Sequence, residues 1–123
     1  TFNTRTDGSD HESVALSYLL RQGYRLVHRN FHLGRSGEID LVMRDGRVWV
    51  FIEVKGRRTH TYGLPEDAVN QQKRRQIRRI AEGFVQINNL VDYEARFDVV
   101  VVDYATSPHK NLAEIRHHKD AFH

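Results

Sequence analysis

The sequence contains no cysteine and only two prolines among its 123 residues. The lack of cysteine excludes disulfide scaffolds, thiolate zinc sites and cysteine nucleophiles. A chain without disulfides suits a reducing compartment, and we expect a cytoplasmic protein. The longest apolar run, Val48 to Ile52, is far shorter than the roughly 20 residues that span a bilayer, and no basic-then-apolar export signal opens the chain. Because residue 1 is Thr rather than Met, we expect that further sequence precedes it.

The residues that are present suffice for one folded domain. Hydrophobic residues make up 39% of the chain and charged residues 28%, whereas disordered chains are poorer in apolar residues. The length fits a single domain over residues 1–123, with no room for a second core. The net charge is only +3, so the placement of the basic residues matters more than their excess.

Hydrophobic periodicity predicts an α/β domain with a mixed β-sheet. Helices are predicted from Glu12 to Gln22 and from about Pro65 to about Ile87. Strands are predicted at Tyr24 to Phe31, Glu38 to Arg44, Arg47 to Lys55 and Phe97 to Tyr104. The last of these contains four consecutive valines, which favours a strand covered on both faces. We expect residues 107–123 to form a polar C-terminal tail, with a short helix around Leu112 to His118.

The two central strands are predicted to form an antiparallel hairpin. The dipeptide Asp45-Gly46 is the strongest short-range hairpin signal, and a two-residue turn there places Arg44 opposite Arg47. In that register Asp40 and Glu53 are diagonal neighbours. Because side chains alternate between the faces of a strand, one face of the hairpin carries most of the charged groups. These residues are Glu38, Asp40, Glu53 and Lys55, together with Phe51.

Carboxylates and a lysine on one strand face have a characteristic chemistry. Oxygen ligands favour Mg²⁺ or Mn²⁺ over Zn²⁺. Such an ion polarises a phosphoryl oxygen and lowers the pKa of a bound water, while Lys55 orients that water or offsets charge in the transition state. The pattern therefore predicts phosphodiester hydrolysis. The spacing alone fits equally well a solvated strand face with weak cross-strand ion pairs.

Several blocks of the sequence, in order, resemble the bacterial YraN family of predicted endonucleases, which is distantly related to archaeal Holliday-junction resolvases. The blocks are Glu12–Ala15, Arg29–Phe31, Gly37–Val42, Phe51–Arg58, Tyr62–Val69 with Lys73, and Arg96–Val100. The resemblance implies a restriction-endonuclease-like core, a mixed sheet with an antiparallel hairpin flanked by helices. In that core, the PD-(D/E)xK motif corresponds to Asp40, Glu53 and Lys55.

The resemblance also implies a role for each of these residues. Asp40 and Glu53 would bind Mg²⁺ or Mn²⁺, joined by Glu12 from the first helix. Lys55 would be the catalytic lysine. The substrate would be DNA, including branched or junction DNA, and by analogy with dimeric resolvases we expect a homodimer.

Basic residues are concentrated near the motif and in residues 71–79, a segment with no acidic residue. The candidate nucleic-acid contacts are Arg57, Arg58, Lys73, Arg74, Arg75, Arg78 and Arg79. Such a surface gains affinity for a polyanion by counterion release, and without a base-reading motif we expect recognition of backbone and shape. A run of this kind also fits a solubilising helix face. The sequence thus predicts a metal-dependent endonuclease, with a DNA-binding module lacking turnover as the alternative and a protein-recruiting scaffold as a third interpretation.

Overall fold

The computed structural model describes residues 6–60, 63–106 and 112–123. Within these ranges it contains two α-helices, five β-strands and a short 3-10 helix at Pro65–Ala68. In chain order the labelled elements are α1 (Thr6–Arg21), β1 (Arg25–His32), β2 (Glu38–Asp45), β3 (Val48–Arg57), α2 (Gln71–Ile87), β4 (Glu94–Asp103) and β5 (Glu114–Phe122). Tyr62, in one of the resemblance blocks, lies outside the described residues.

The five strands form one sheet in which spatial order follows chain order, β1 to β5. β3 and β4 are parallel, and every other neighbouring pair is antiparallel. A parallel pair needs a long crossover, and the segment containing α2 supplies it. This mixed sheet with two helices confirms the predicted α/β class and is consistent with a restriction-endonuclease-like core. No helix in the described part of the chain has both the length and the apolarity to cross a membrane.

The helices cover opposite faces of the sheet, which separates two apolar clusters. On one face, α2 contributes Ile77, Ile80, Ala81 and Phe84 to a cluster with β2, β3 and β4. On the other face, α1 contributes Ala15 and Leu19 to the second cluster. The valine run alternates between them, with Val99 and Val101 toward α2 and Val100 and Val102 toward α1. The prediction that both faces of this strand are covered is therefore confirmed.

The prediction of one long helix from Pro65 is wrong, because the helical segment is interrupted. The 3-10 turn at Pro65–Ala68 is followed by buried Val69 and then by Asn70, the N-cap of α2. The Asn70 side chain accepts a hydrogen bond from the Lys73 backbone N–H at 3.0 Å. Asparagine is among the best N-cap residues because it satisfies a helical donor that lacks an intrahelical partner.

The hairpin register differs from the predicted one by two residues. Asp45 pairs with Val48, so the turn is Gly46-Arg47 rather than Asp45-Gly46. Gly46 has φ of +59° and takes the first turn position, the one at which a II′ turn requires glycine. The loop still has two residues, so Val42 and Phe51 share the face covered by α2, as predicted. Strict alternation fails at Asp40, however, because Ile39 packs on the α2 face whereas Leu41 packs on the α1 face. The ladder ends at the pair Leu41–Ile52, so Asp40 and Glu53 lie just beyond its last pair rather than at the predicted diagonal positions.

The predicted polar tail and its short helix are wrong over residues 114–122, which form β5 against β4. Residues 107–111 lie outside the described residues. The polar side chains of β5 enter the fold by pairing with buried acids: His117 Nε2 lies 2.7 Å from Asp98, and Arg116 lies 3.0 Å from Asp103. A strand with such pairs has no apolar alternation from which periodicity could detect it.

Asp98 is fully buried and joins three parts of the chain. It pairs with Arg96 at 3.0 Å and accepts hydrogen bonds from the Tyr24 hydroxyl and from the Asp120 N–H of the β5 segment. Burial by itself would raise the pKa of Asp98, but the hydrogen bonds from His117, Asp120 and Arg96 outweigh it and lower the pKa. The carboxylate is thus a structural anion at the centre of a polar network.

We expect Asp98→Ala to lower the free energy of unfolding by about 3 kcal/mol, because it leaves buried cationic and polar partners without an acceptor. Urea denaturation followed by circular dichroism measures this change. Glu94→Ala, on the exposed start of the same strand, serves as control and should stay within about 0.5 kcal/mol of the parent. Equal midpoints for the two variants would contradict the structural role of Asp98.

Candidate metal centre and nucleic-acid surface

Asp40 lies where the paired part of the hairpin ends. The last β2–β3 pair is Leu41 with Ile52, and beyond it Asp40 Oδ2 accepts a hydrogen bond from the Val54 N–H at 2.8 Å. The side chain thereby occupies a position that a main-chain carbonyl would take in a continuous ladder, and it satisfies a backbone donor. Because β2 and β3 are no longer paired at this point, the Asp40 carboxylate lies close to Glu53 and Glu12.

Asp40 is surrounded by negative charge. Its pKa is raised to about 8, first by burial and then by the nearby charges of Glu53 and Glu12, with a hydrogen bond shared with Glu53 adding to the effect. The hydrogen bond from Val54 opposes this shift. Two carboxylates that share a site cannot both ionise without strong repulsion, so the Asp40 carboxyl retains its proton to a higher pH than an ordinary aspartate does.

Glu53 lies on β3 with only 4% of its surface exposed. Its Oε2 atom is 3.4 Å from the Nζ of Lys55 and 3.4 Å from the Nζ of Lys73. Lys55 is two residues along the same strand, whereas Lys73 reaches across from the first turn of α2. The motif carboxylate is therefore held between two ammonium groups, one of which comes from a distant part of the chain.

A cluster of three carboxylates includes Asp40. One oxygen each of Glu12, Glu38 and Asp40 lies within 4.8 Å of the others. Asn30 Nδ2 donates to both oxygens of Glu12 at 3.1 Å and to Glu38 at 3.0 Å. The backbone of Asn30 has φ of +56°, a left-handed conformation that asparagine tolerates better than most residues.

Side chains of β1 contact the two outer carboxylates, Glu12 and Glu38. Arg29 Nε lies 3.1 Å from Glu12, and His32 Nε2 lies 3.1 Å from Glu38. Arg29 also donates to the Ser13 hydroxyl at 3.0 Å, which ties α1 to the edge strand. These contacts position Glu12 over the end of the hairpin, although it belongs to a helix packed on the sheet face.

The predicted site residues fall into one neighbourhood. Asp40, Glu53, Lys55 and Glu12 are linked through direct contacts or electrostatic interaction. Sequence reasoning missed two groups there, Glu38 and Lys73. Glu38 had a signal, since it shares strand parity with Asp40 but was not assigned as a ligand; Lys73 was assigned to nucleic acid alone. The Glu53 contact of Lys73 depends on how α2 crosses the sheet and has no local signal.

The donor set fits a hard divalent cation. All three groups of the acidic cluster offer carboxylate oxygens, the ligands that Mg²⁺ and Mn²⁺ prefer. Burial, and then the charges of Glu53 and Glu12, raise the pKa of Asp40, and a bound cation would relieve the repulsion between these carboxylates. Asp40 is the carboxylate shared by this cluster and by Glu53, so these four acids contain the candidate ligands.

The predicted nucleic-acid residues fall into two groups: those whose side chains form polar or stacking contacts with other described residues and those whose side chains do not. Arg57 is held by Asp103 at 3.0 Å and by the Gly63 carbonyl, Arg74 donates to the Val69 carbonyl, and Arg78 donates to the His123 carbonyl. Arg58 stacks on Tyr104, 4.4 Å from the ring centre. These contacts tie four of the predicted cations into the fold.

Arg75 and Arg79 are different. Both are exposed and lie one helical turn apart on the outer face of α2, and neither has an ion pair or side-chain hydrogen bond within residues 6–60, 63–106 and 112–123. They border a polar hollow that also contains Lys73 and Gln76. The guanidinium groups of Arg75 and Arg79 are not neutralised by a carboxylate of the residues that the structure describes, and the hollow also contains Lys73, which contacts Glu53. The hollow is therefore the surface near the acidic centre that best suits a phosphate backbone.

Comparison with known proteins gives a family match. Residues 11–102 match the model of the Uncharacterised protein family UPF0102. A UPF0102 protein of Natranaerobius thermophilus is 35% identical over 121 residues, covering 98% of this chain and 99% of the relative. A UPF0102 protein of Syntrophus aciditrophicus is 46% identical over 102 residues, covering 83% and 79%. One from Geobacter sulfurreducens is 46% identical over 91 residues, covering 74% and 70%.

The raised pKa of Asp40 predicts a pH-dependent stability. Since the folded value of about 8 exceeds the ordinary 3.8, the folded chain retains a proton between about pH 4 and 8 that the unfolded chain has released. The free energy of unfolding therefore falls as the pH rises through this window. Asp40→Asn removes this dependence, because an amide can accept from Val54 and donate to Glu53 without ionising.

In metal-free buffer we expect Asp40→Asn to gain stability over the parent between about pH 5 and 8, by at least about 1 kcal/mol at the upper end. Thermal and urea unfolding at a series of pH values measure the difference. The comparison near pH 5 is the internal control, where the gain should be smallest. A difference independent of pH would mean that Asp40 is already ionised in the folded protein.

Proposed function

Because the chain belongs to the Uncharacterised protein family UPF0102, as its YraN-like resemblance predicts, we propose a function on the basis of its site. We propose that the protein is a metal-dependent endonuclease that binds DNA and hydrolyses phosphodiester bonds. The observation that carries the proposal is the position of Asp40, which lies between an acidic cluster and the Glu53 carboxylate with its two lysines.

Asp40, with Glu53, Glu12 and Glu38, would hold Mg²⁺ or Mn²⁺. When bound, such an ion polarises a phosphoryl oxygen and makes a bound water more acidic. The protein supplies the arrangement: the Val54 N–H fixes Asp40, and Asn30 holds Glu12 and Glu38 together. Loss of the proton from Asp40 accompanies loading of the site, since metal ligands must be deprotonated.

The lysines act on the reacting phosphate. Lys55 would orient the attacking water and offset the charge that develops on the phosphoryl oxygens. Lys73 adds a second positive charge, because both ammonium groups lie 3.4 Å from the same oxygen of Glu53. Glu53 thus positions two cations as well as contributing a candidate metal ligand.

Arg75 and Arg79 would hold the phosphate backbone. They are exposed and lie on the same helix as Lys73, so a strand bound along α2 leads toward the carboxylates. Contacts of this kind fix register on the nucleic acid without reading its sequence. Shape and backbone recognition therefore fit this surface, and branched or junction DNA belongs in the substrate panel.

We expect the parent protein to cleave DNA in the presence of Mg²⁺ or Mn²⁺ and chelation to stop the cleavage. Asp40→Asn and Lys55→Ala should each slow cleavage by at least about a hundredfold, since each removes a group that acts on the reacting phosphate. The measurement is a time course of labelled branched, nicked and linear DNA. Lys119→Ala, an exposed lysine on β5, is the matched control and should cleave at the parent rate.

Cleavage that persists in both site variants would come from a contaminant and would contradict the proposal. Salt-dependent DNA binding without cleavage by the parent would support the alternative of a binding module. A readout independent of activity is thermal stability, which Mg²⁺ or Mn²⁺ should raise for the parent by preferential binding to the folded state. The metal-induced rise should be reduced or absent for Asp40→Asn.

The double variant Arg75→Ala/Arg79→Ala should weaken DNA binding and reduce the slope of log affinity against log salt by about 2, because each phosphate contact contributes about 0.9 on a duplex. Fluorescence anisotropy at several salt concentrations measures the slope. Arg21→Ala/Arg25→Ala removes the same charge from exposed positions at the end of α1 and the start of β1. Equal slopes for the two double variants would show an effect of net charge alone.

A further inference from the structure

A second cavity lies beside α2, bordered by β3, β4 and the residues that precede β4. It is open to solvent, has a volume of about 570 Å³ and has an apolar lining that includes Phe51, Val85 and Phe97. Tyr93 lies at its edge with 45% of its surface exposed. The size is in the range of small-molecule sites, and none of the carboxylates of the candidate metal centre lines it.

The chemistry of the cavity combines aromatic rings with uncommitted cations. Arg75 and Arg79 line it together with Arg78, whereas Glu82 is the one acidic residue among its described lining residues. An apolar partner alone would not require guanidinium groups, and a phosphate alone would not require an aromatic lining. A nucleotide satisfies both, because its base has a flat face for stacking and its phosphate carries the negative charge.

The cavity adjoins the polar hollow that leads to the metal centre. Arg75 and Arg79 border both this cavity and the polar hollow that contains Lys73. Lys73 in turn lies 3.4 Å from Glu53. Along the helix axis, Lys73 and Arg79 are separated by about 9 Å at 1.5 Å per residue. A strand bound at the carboxylates could therefore place a neighbouring nucleotide in the cavity.

Resting on the nuclease function proposed above, we propose that this cavity binds one unpaired nucleotide of the DNA strand. Tyr93 stacks on the base, and Arg75 and Arg79 contact the adjoining phosphates. A base in a continuous duplex is stacked and paired, and extracting it costs free energy, least where the base is already single-stranded. The favoured substrate is therefore DNA with a single-stranded segment next to a duplex, such as a fork or flap.

The test measures binding by fluorescence anisotropy, with a forked DNA, a single strand and a blunt duplex of matched sequence. All proteins carry Asp40→Asn and are measured with EDTA, so that cleavage does not enter. Tyr93→Ala should weaken fork and single-strand binding by about tenfold, because stacking on one aromatic side chain contributes roughly that much per base, and should leave duplex binding unchanged. Tyr93→Phe keeps the ring and should retain the affinity.

Val91→Ala is the matched control, since Val91 is 79% exposed two residues away and does not line the cavity. Equal losses for fork and duplex on Tyr93→Ala, or no loss for either, would overturn the proposal. So would a parent dimer that Tyr93→Ala dissociates in sedimentation analysis, because the cavity would then be an interface between copies. A selective loss on forks together with no cleavage by the parent would support the cavity and refute the nuclease.

Discussion

Buried carboxylates govern how this sheet is assembled, because a charge removed from water must be paired with an opposite charge or give up its ionisation. Asp98 and Asp103 on β4 are fully buried, and each binds cationic side chains from β4 itself or from a neighbouring strand. Burial alone would raise the pKa of Asp103, yet hydrogen bonds from Arg57 and Arg116 lower it to about 2. These anions join β3, β4 and β5 by charge as well as by backbone hydrogen bonds.

The pKa of Asp40 is shifted in the opposite direction from those of Asp98 and Asp103. No arginine pairs with this carboxyl group among the described residues, and its surroundings raise its pKa to about 8 rather than lowering it. The contrast separates two uses of the same side chain within one sheet. Asp98 and Asp103 are paired and stabilise the fold, whereas Asp40 is buried beside other carboxylates, whose repulsion a cation would relieve. Perturbed carboxyl groups of the second kind occur preferentially at functional sites.

The basic residues of the described chain also divide into those that pair with its carboxylates and those that do not. Arg57 and Arg116 both pair with Asp103, and Arg96 pairs with Asp98 and Asp45. These three arginines are therefore neutralised by carboxylates within the protein. The part of the basic segment that remains available is small, chiefly Arg75 and Arg79 on the outer face of α2. A sequence run of five cations therefore overstates the surface offered to a polyanion, because folding engages some of them with backbone carbonyls.

Much of the architecture and of the candidate site could be predicted from local pattern, and the failures share a cause. Period-2 alternation predicted Asp40, Glu53 and Lys55 on one face, and an even shift of register leaves that parity unchanged. The alternation nevertheless fails at Asp40, since Ile39 and Leu41 pack on opposite faces of the sheet. β5 was missed because Arg116 and His117 are covered through polar contacts with Asp103 and Asp98, which leave no apolar period. The break before α2 was missed because Asn70 acts as the N-cap of the helix. The helical pattern of apolar residues on both sides of Asn70 hides that role.

The sequence by itself determined the elements whose signal is local: the hairpin with its two-residue turn and the valine strand. Only the tertiary structure decided which distant groups meet the carboxylates of the candidate site. Glu12 and Asn30 reach them from α1 and β1, and Lys73 reaches Glu53 from α2. The physical reason is that alternation and periodicity fix the direction of a side chain within its own element, whereas contacts between elements depend on how helices cross the sheet and on which buried charges must be paired.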